Sequence, residues 1–140
     1  HCLQPTRTRL VPYALHLDID RGLLDLRYRG VVSVAQRLLA ANEALPLLRT
    51  SGVRRILIDL MQATAGQDGV DDFRAFAARI TREPIFRASR TAFVAPPVNG
   101  ANRLIEVLID AHHYPFSRFD DRDTAIAWLC GNEPALGLND

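Results

Sequence analysis

Ile56-Leu57-Ile58-Asp59-Leu60 is a run of apolar residues carrying one acid. A strand with helices over both of its faces has no solvent side to alternate toward, so it reads as a continuous apolar run. The stretch therefore predicts the central strand of a mostly parallel sheet, and the other elements can be placed on either side of it.

Upstream, Ser33 and Gln36 stand three residues apart ahead of a periodic apolar stretch, the capping-box spacing in which hydroxyl and carboxamide satisfy backbone amides reciprocally. They predict a helix that starts at Val34, buries Val34, Leu38, Leu45 and Leu48, and ends at Gly52. Pro46 lacks the amide that would bond the carbonyl four residues earlier, so a kink or restart is expected there. Before this helix, Tyr13, Leu15, Leu17 and Ile19 alternate with smaller or polar residues, and Leu24, Leu26 and Tyr28 alternate with Asp25, Arg27 and Arg29. With Asp20-Arg21-Gly22 as a tight turn, the two segments predict an antiparallel hairpin closed by Gly30. Residues 1–11 are basic and aperiodic and are expected to form a flexible tail.

Downstream, Met61 to Gly69 predicts a loop. Phe73, Phe76, Ala77 and Ile80 then recur at helical spacing, with Asp71 and Asp72 in the first turn and Pro84 at the end. Thr91 to Ala95 predicts another strand, and Pro96 to Gly100 leads into a helix over roughly Asn102 to His112. Its inner face reads as Leu104, Val107, Leu108 and Ala111, with Ile105 and Ile109 as a second apolar row beside it. Phe116 to Phe119 predicts a short edge strand. A last helix starts at the acids Asp120 to Asp123, turns Ala125, Ile126, Trp128 and Leu129 inward and stops at Gly131, leaving residues 132–140 as a second flexible tail. The order ββαβαβαβα predicts one α/β domain over residues 12–131. It is a single mostly parallel sheet of about five strands with an N-terminal antiparallel hairpin and about four helices on its faces.

A chain of 140 residues, 48% of them hydrophobic, has the length of one domain and can bury roughly two-thirds of its unfolded surface. Charged residues make up 24% and the net charge is +1, which excludes the composition of a disordered chain and the charge excess of a nucleic-acid binder. All 17 basic residues are arginine, so a Schiff-base lysine and a phosphate-loop lysine are excluded. Cys2 and Cys130 are too few for a disulfide scaffold or a four-cysteine zinc site and read as free thiols. The chain begins at His1 and its one methionine is Met61, so a start inside a longer product or after a tag remnant is expected. Residues 1–12 hold no signal-peptide stretch and no run approaches the roughly 18 apolar residues of a membrane span, so a cytoplasmic location is expected. No Gly-x-Ser-x-Gly elbow, His-Glu-x-x-His pair or Cys-x-x-Cys motif occurs, and a non-enzymatic domain without a cofactor is expected.

Leu57-Ile58-Asp59-Leu60 on the central strand, the loop Met61 to Gly69, the helix Val70 to Ile80 and the closing Ala125-Ile126-Ala127-Trp128-Leu129 occur in that order. In this arrangement the chain resembles the small bacterial SpoIIAA-like family, related to STAS domains, over about residues 12 to 131. The resemblance implies a non-enzymatic domain of the anti-sigma-factor-antagonist type, acting as a switchable protein partner. A neighbouring branch of the same topology resembles CRAL-TRIO lipid-binding domains. In the antagonists, the loop after the central strand presents an aspartate followed by a phosphorylatable serine at the helix start. Here the stretch reads Ala65-Gly66-Gln67-Asp68-Gly69-Val70, Asp68 or Gln67 falls at the serine by count from Asp59, and no serine lies between Ser51 and Ser89. The resemblance thus implies the scaffold without the standard phosphoserine switch, Thr64 being the one hydroxyl in the loop.

Two turns are candidate sites. Thr64, Gly66, Gln67, Asp68 and Gly69 form the partner or switch loop. Its glycines at a helix start could cradle an anion, but Asp71 and Asp72 already occupy that positive end and would repel one, so it reads as loop and cap, with Gln67 and Asp68 as partner contacts. The second turn, Asn99, Gly100, Asn102 and Arg103, carries no acid and reads as a helix cap or as an anion or ligand turn outside the carboxyl ends of the strands. His112 and His113 are consecutive on a helix and point about 100° apart, so no metal site is expected. Asp59 reads either as an acid/base carboxylate or as a hydrogen-bonded loop anchor.

Three functions follow. A protein-interaction module, as a homodimer or with another protein, would use the row Ile105 and Ile109 as its interface. A lipid or apolar-ligand carrier would use Phe73, Phe76, Ile105, Ile109 and Trp128, and needs a pocket of roughly 300 Å³ or more. An enzyme would bring Asp59, Asp68 and Arg103 together at the strand ends.

Overall fold

The computed structural model describes residues 12–66, 68–96 and 100–131. Both expected tails, together with Gln67 and Asn99, lie outside the described residues. Two strands, β1 (Tyr13–Asp18) and β2 (Leu23–Val32), pair antiparallel, with Asp18 opposite Leu23. Gly22 closes the connection at φ 68°, a left-handed conformation that glycine adopts without steric cost, and its amide donates to the Asp18 carbonyl at 2.8 Å. The second strand does not close at Gly30 as expected. It passes through that residue to Val32, because β3 (Arg55–Ala65) runs alongside it in parallel as far as the pair Val32 and Ala65. β4 (Arg90–Val94) and β5 (Phe116–Phe119) complete a sheet in sequence order, β1-β2-β3-β4-β5, parallel after the first pair. Ile56 to Leu60 is thus central.

The expected loop beginning at Met61 is instead the second half of β3. Arg27 pairs with Asp59 and Arg29 with Gln62, two steps on one strand against three on the other, so β3 carries one extra residue at Leu60-Met61. The amide of Met61 donates to Asp59 Oδ1 at 3.0 Å, which satisfies the donor that the bulge removes from the ladder.

Four helices lie on one face of the sheet. The first, α1 (Val34–Ser51), starts on the expected capping box: Ser33 Oγ accepts from the Gln36 amide and Gln36 Oε1 accepts from the Ser33 amide. It stops at Gly52, whose φ is 78°. Pro46 neither divides nor restarts this helix. Its buried line is Val34, Arg37, Ala40, Ala44 and Leu48, so Leu38 and Leu45 sit half-buried at the edge of the stripe. Beside it are α2 (Val70–Arg82), ended by Pro84 as expected, the single turn α3 (Pro84–Arg87), and α4 (Gly100–Ala111). α4 begins two residues before the expected Asn102.

The fifth helix, α5 (Arg122–Leu129), lies alone on the opposite face and packs on β3, β4 and β5. Asp121 caps it by accepting from the Thr124 amide at 2.8 Å. Ala125, Trp128 and Leu129 form a small core with Leu57, Ala92 and Val94. The remainder of that face, over β1, β2 and the end of β3, has no helix on it among the described residues, and Ala14, His16, Arg29 and Gln62 are exposed. No helix of the described residues is long and apolar enough to cross a membrane.

Candidate functional site

The first expected site divides between strand and cap. Thr64 is exposed on β3 rather than in a loop, and only residues 66–69 connect β3 to α2. Asp68 Oδ2 accepts from the Val34 amide at 3.0 Å, so its side chain crosses to the start of α1 and satisfies one of the free donors there. The Gly66 amide donates to the Val32 carbonyl, and the Gly69 amide donates to Asp72 Oδ2 at 3.0 Å. The connection is therefore tied on one side to the end of β2 and on the other to two helix starts.

At the second turn, Gly100 and Asn102 fall within the first turn of α4, and their side-chain environments lie outside the described residues. Arg103 is paired within the chain, 3.3 Å from Glu106 Oε1. Glu106 is only 2% exposed, and its other oxygen receives Arg118 Nε from β5 at 2.9 Å. Arg118 also donates to the Pro96 carbonyl. These charges tie α4 to β5 and to the segment after β4, and nothing in the sequence marks Glu106 as buried, because on a helix an acid is ordinarily placed toward water.

Asp59, Asp68 and Arg103 engage separate partners. Asp59 Oδ2 meets Arg122 Nη1 at 2.8 Å on the α5 face, and Arg122 Nη2 reaches Asp25 Oδ2 at 2.6 Å. These carboxylates, Asp25 foremost, hold the guanidinium pKa above its ordinary value against the opposing effect of burial. This is the anchor reading of Asp59, extended by a cation. Among the described residues no group of three or more His, Cys, Asp or Glu could hold a metal ion.

The interface row is corrected by burial. Ile105 and Ile109 are 4% and 3% exposed and belong to the main core, whereas Val107 of the expected inner face is 50% exposed. The helix is rotated so that Ile105, Glu106 and Ile109 turn in together, with the Glu106 ion pairs on that side. The row is therefore covered by the chain itself and is not a surface for a partner.

What Ile105 and Ile109 line is a cavity of about 70 Å³ between the sheet and the helices. Leu26, Ile58 and Phe93 form its floor, and Phe76 and Phe86 lean in from α2 and α3. Interiors seldom hold voids much larger than a water molecule. The polar boundary of the cavity is sparse. Tyr114 donates to the Phe86 carbonyl at 2.8 Å and, having spent its one proton there, accepts from the Thr91 hydroxyl at 2.9 Å. Arg37 and Tyr28 form the other polar stretch of wall, the guanidinium carbon 5.4 Å from the ring centre. Burial lowers the Arg37 pKa, with Tyr28 and Asp68 acting in the other direction, and burial pushes the Tyr28 phenol well up, with Arg37 pulling it back.

A second hollow, an open cleft of about 270 Å³, lies between α1 and the α2–α3 junction. Ala41, Ile80 and Phe86 line both hollows, so these three side chains are the partition between the cleft and the cavity. Asn42, Arg79, Arg82 and Glu83 give the cleft its polar rim. Neither hollow alone reaches the roughly 300 Å³ expected of a carrier.

No family model matches the sequence, and no curated protein matches it. Among solved structures, the chain is similar to an uncharacterized protein of the DUF3478 family with a SpoIIAA-like fold from Shewanella loihica PV-4. The two are 19% identical, the match covers 84% of this chain and 92% of that one, and the TM-score is 0.50. The five-stranded mixed sheet described above is thus a SpoIIAA-like fold.

Proposed function

We propose that this chain is a non-catalytic binding domain that takes a small apolar ligand into the cavity between its sheet and the helices α1, α2 and α4, together with the cleft that adjoins it at Ala41, Ile80 and Phe86. The observation that carries the reading is the cavity itself, apolar over nearly all of its wall. It is supported by the rotation of α4, which places Ile105 and Ile109 in that wall instead of at the surface. The test is calorimetric titration of 1-octanol into the purified protein and into Ala44→Leu, a buried lining position where a larger side chain fills the space. Saturable binding by the wild type, lost in Ala44→Leu, is the expected result. Absence of saturable binding by the wild type removes the proposal.

A regulatory reading, action through a protein partner or a second copy, has a different support. One half of the α5 face carries no helix among the described residues, and Val31 and Met61 are 66% and 43% exposed on β2 and β3. Light scattering of wild type, Val31→Asp and Met61→Asp tests the homodimer. A monomer at every concentration, unchanged in the variants, removes that form of it.

A further inference from the structure

The binding reading above leaves open what kind of molecule would enter, and the cleft beside the cavity narrows it. One helix, α2, runs along both hollows: Phe76 lines the cavity, Ile80 lines cavity and cleft, and Arg79 and Arg82 line the cleft. A ligand reaching the cavity from the cleft would pass Ala41, Ile80 and Phe86. Of these, Ala41 contributes a single methyl group and Ile80 is half-buried.

The charges at the rim are unequal. Arg79 and Arg82 are exposed, and among the described residues neither forms an ion pair. Arg79 has the neutral Asn42 Oδ1 at 3.4 Å as its hydrogen-bond partner. The one acid at the rim, Glu83, is engaged by the Ile85 amide at 2.9 Å and caps α3. The cleft therefore presents two guanidinium groups against one committed carboxylate, next to the three side chains that it shares with the apolar cavity. A guanidinium recognises carboxylate or phosphate through paired N–H donors, and a headgroup left at the rim keeps part of its hydration.

We propose that the ligand is an amphipathic anion, with its carboxylate or phosphate headgroup in the cleft at Arg79 and Arg82 and its apolar tail passed between Ile80 and Phe86 into the cavity. This rests on the binding reading and adds headgroup charge and direction of entry to it. An anion buried inward against Arg37 would have to shed its water entirely, at a cost of several kcal/mol per ion. The headgroup is therefore assigned to the rim.

The experiment titrates three probes of one chain length, octanoate, 1-octanol and octylamine, into wild type, the double variant Arg79→Gln with Arg82→Gln, and Arg37→Gln. Octanoate should bind the wild type more tightly than octylamine. The double variant should weaken octanoate by roughly three- to tenfold, as for two partly exposed ion pairs, and leave 1-octanol unchanged. Octyl phosphate in place of octanoate separates a phosphate from a carboxylate source. Equal binding of octanoate and octylamine by the wild type overturns the proposal without needing any variant to fold. So does an octanoate affinity that survives in the double variant and falls only in Arg37→Gln. In both cases binding of 1-octanol leaves the apolar-ligand reading standing, whereas failure of all probes to bind removes both.

Discussion

Asp59 and Arg122 stand 63 residues apart in the chain, and their side chains meet at 2.8 Å on the face of the sheet opposite the main core. Arg122 there holds two carboxylates, Asp25 on β2 and Asp59 on β3, and so fastens α5 to both strands.

Removal of Arg122 should therefore cost more than an ordinary surface ion pair, because it leaves two carboxylates side by side. Arg122→Ala should lower unfolding free energy by about 2 kcal/mol, less than the 3 to 5 kcal/mol of a fully buried pair since the guanidinium is partly exposed. Urea melts measure it. Adding Asp25→Ala should restore part of the loss, and a double variant with simply additive losses would disprove the coupling.

Asp68 should behave as a helix cap. Asp68→Ala frees the Val34 amide at the start of α1 and should cost about 1 kcal/mol, with Asp68→Asn losing less. Unchanged melting in both variants would return Asp68 to the role of an exposed contact residue.

Ile109 separates a wall residue from an interface residue. Ile109→Ala should cost about 2 to 5 kcal/mol by enlarging the cavity, and Ile109→Asp should prevent folding by burying a charge. A folded Ile109→Asp protein that had merely changed its association state would contradict the burial.

Alkaline stability follows from Tyr28. Its folded pKa is raised above the ordinary value near 10, so the folded chain holds the proton more tightly than the unfolded one. Its contribution is complete below about pH 10 and is lost as pH rises beyond that toward the folded value. Tyr114, also raised by burial, acts in the same direction. Melts between pH 8 and 11 should show a decline in the wild type that is shallower in Tyr28→Phe.

The elements whose evidence is local were readable from the residues. The capping box at Ser33 and Gln36, the helical spacing of Phe73, Phe76 and Ala77, the stop at Pro84 and the apolar run of the central strand each carry their own signal, and the structure contains all four. Features set by a distant partner were not readable. Gln62 and Thr64 are polar and read as loop, yet they are strand because β2 continues beside them and, among the described residues, their side of the sheet carries no helix. α4 offers apolar residues in more than one row, so composition leaves its rotation open, and the side turned inward is the one on which Ile105 and Ile109 join the core and Glu106 meets Arg118 of β5. Arg37 lies in the buried line of α1 because Tyr28 across the sheet gives its guanidinium a ring to lie against. The cavity depends on all of these placements together, and no single stretch of sequence announces it.

The extra residue in β3 changes how this chain can be aligned with others of its fold. Residues 56, 58 and 60 face the main core ahead of it and Ala63 faces that core beyond it, so inward positions pass from even to odd numbers. A deletion of Met61 would restore regular alternation with Ala63 still toward the core and Gln62 and Thr64 still outward, whereas the full-length strand without a bulge would turn Gln62 and Thr64 toward the core and Ala63 toward water. Any residue-by-residue count from Asp59 to the start of α2 also crosses this point. Against a relative with a regular strand, every position from Gln62 to Gly69 is displaced by one, and a correspondence drawn by counting alone assigns the wrong side chain to the helix start.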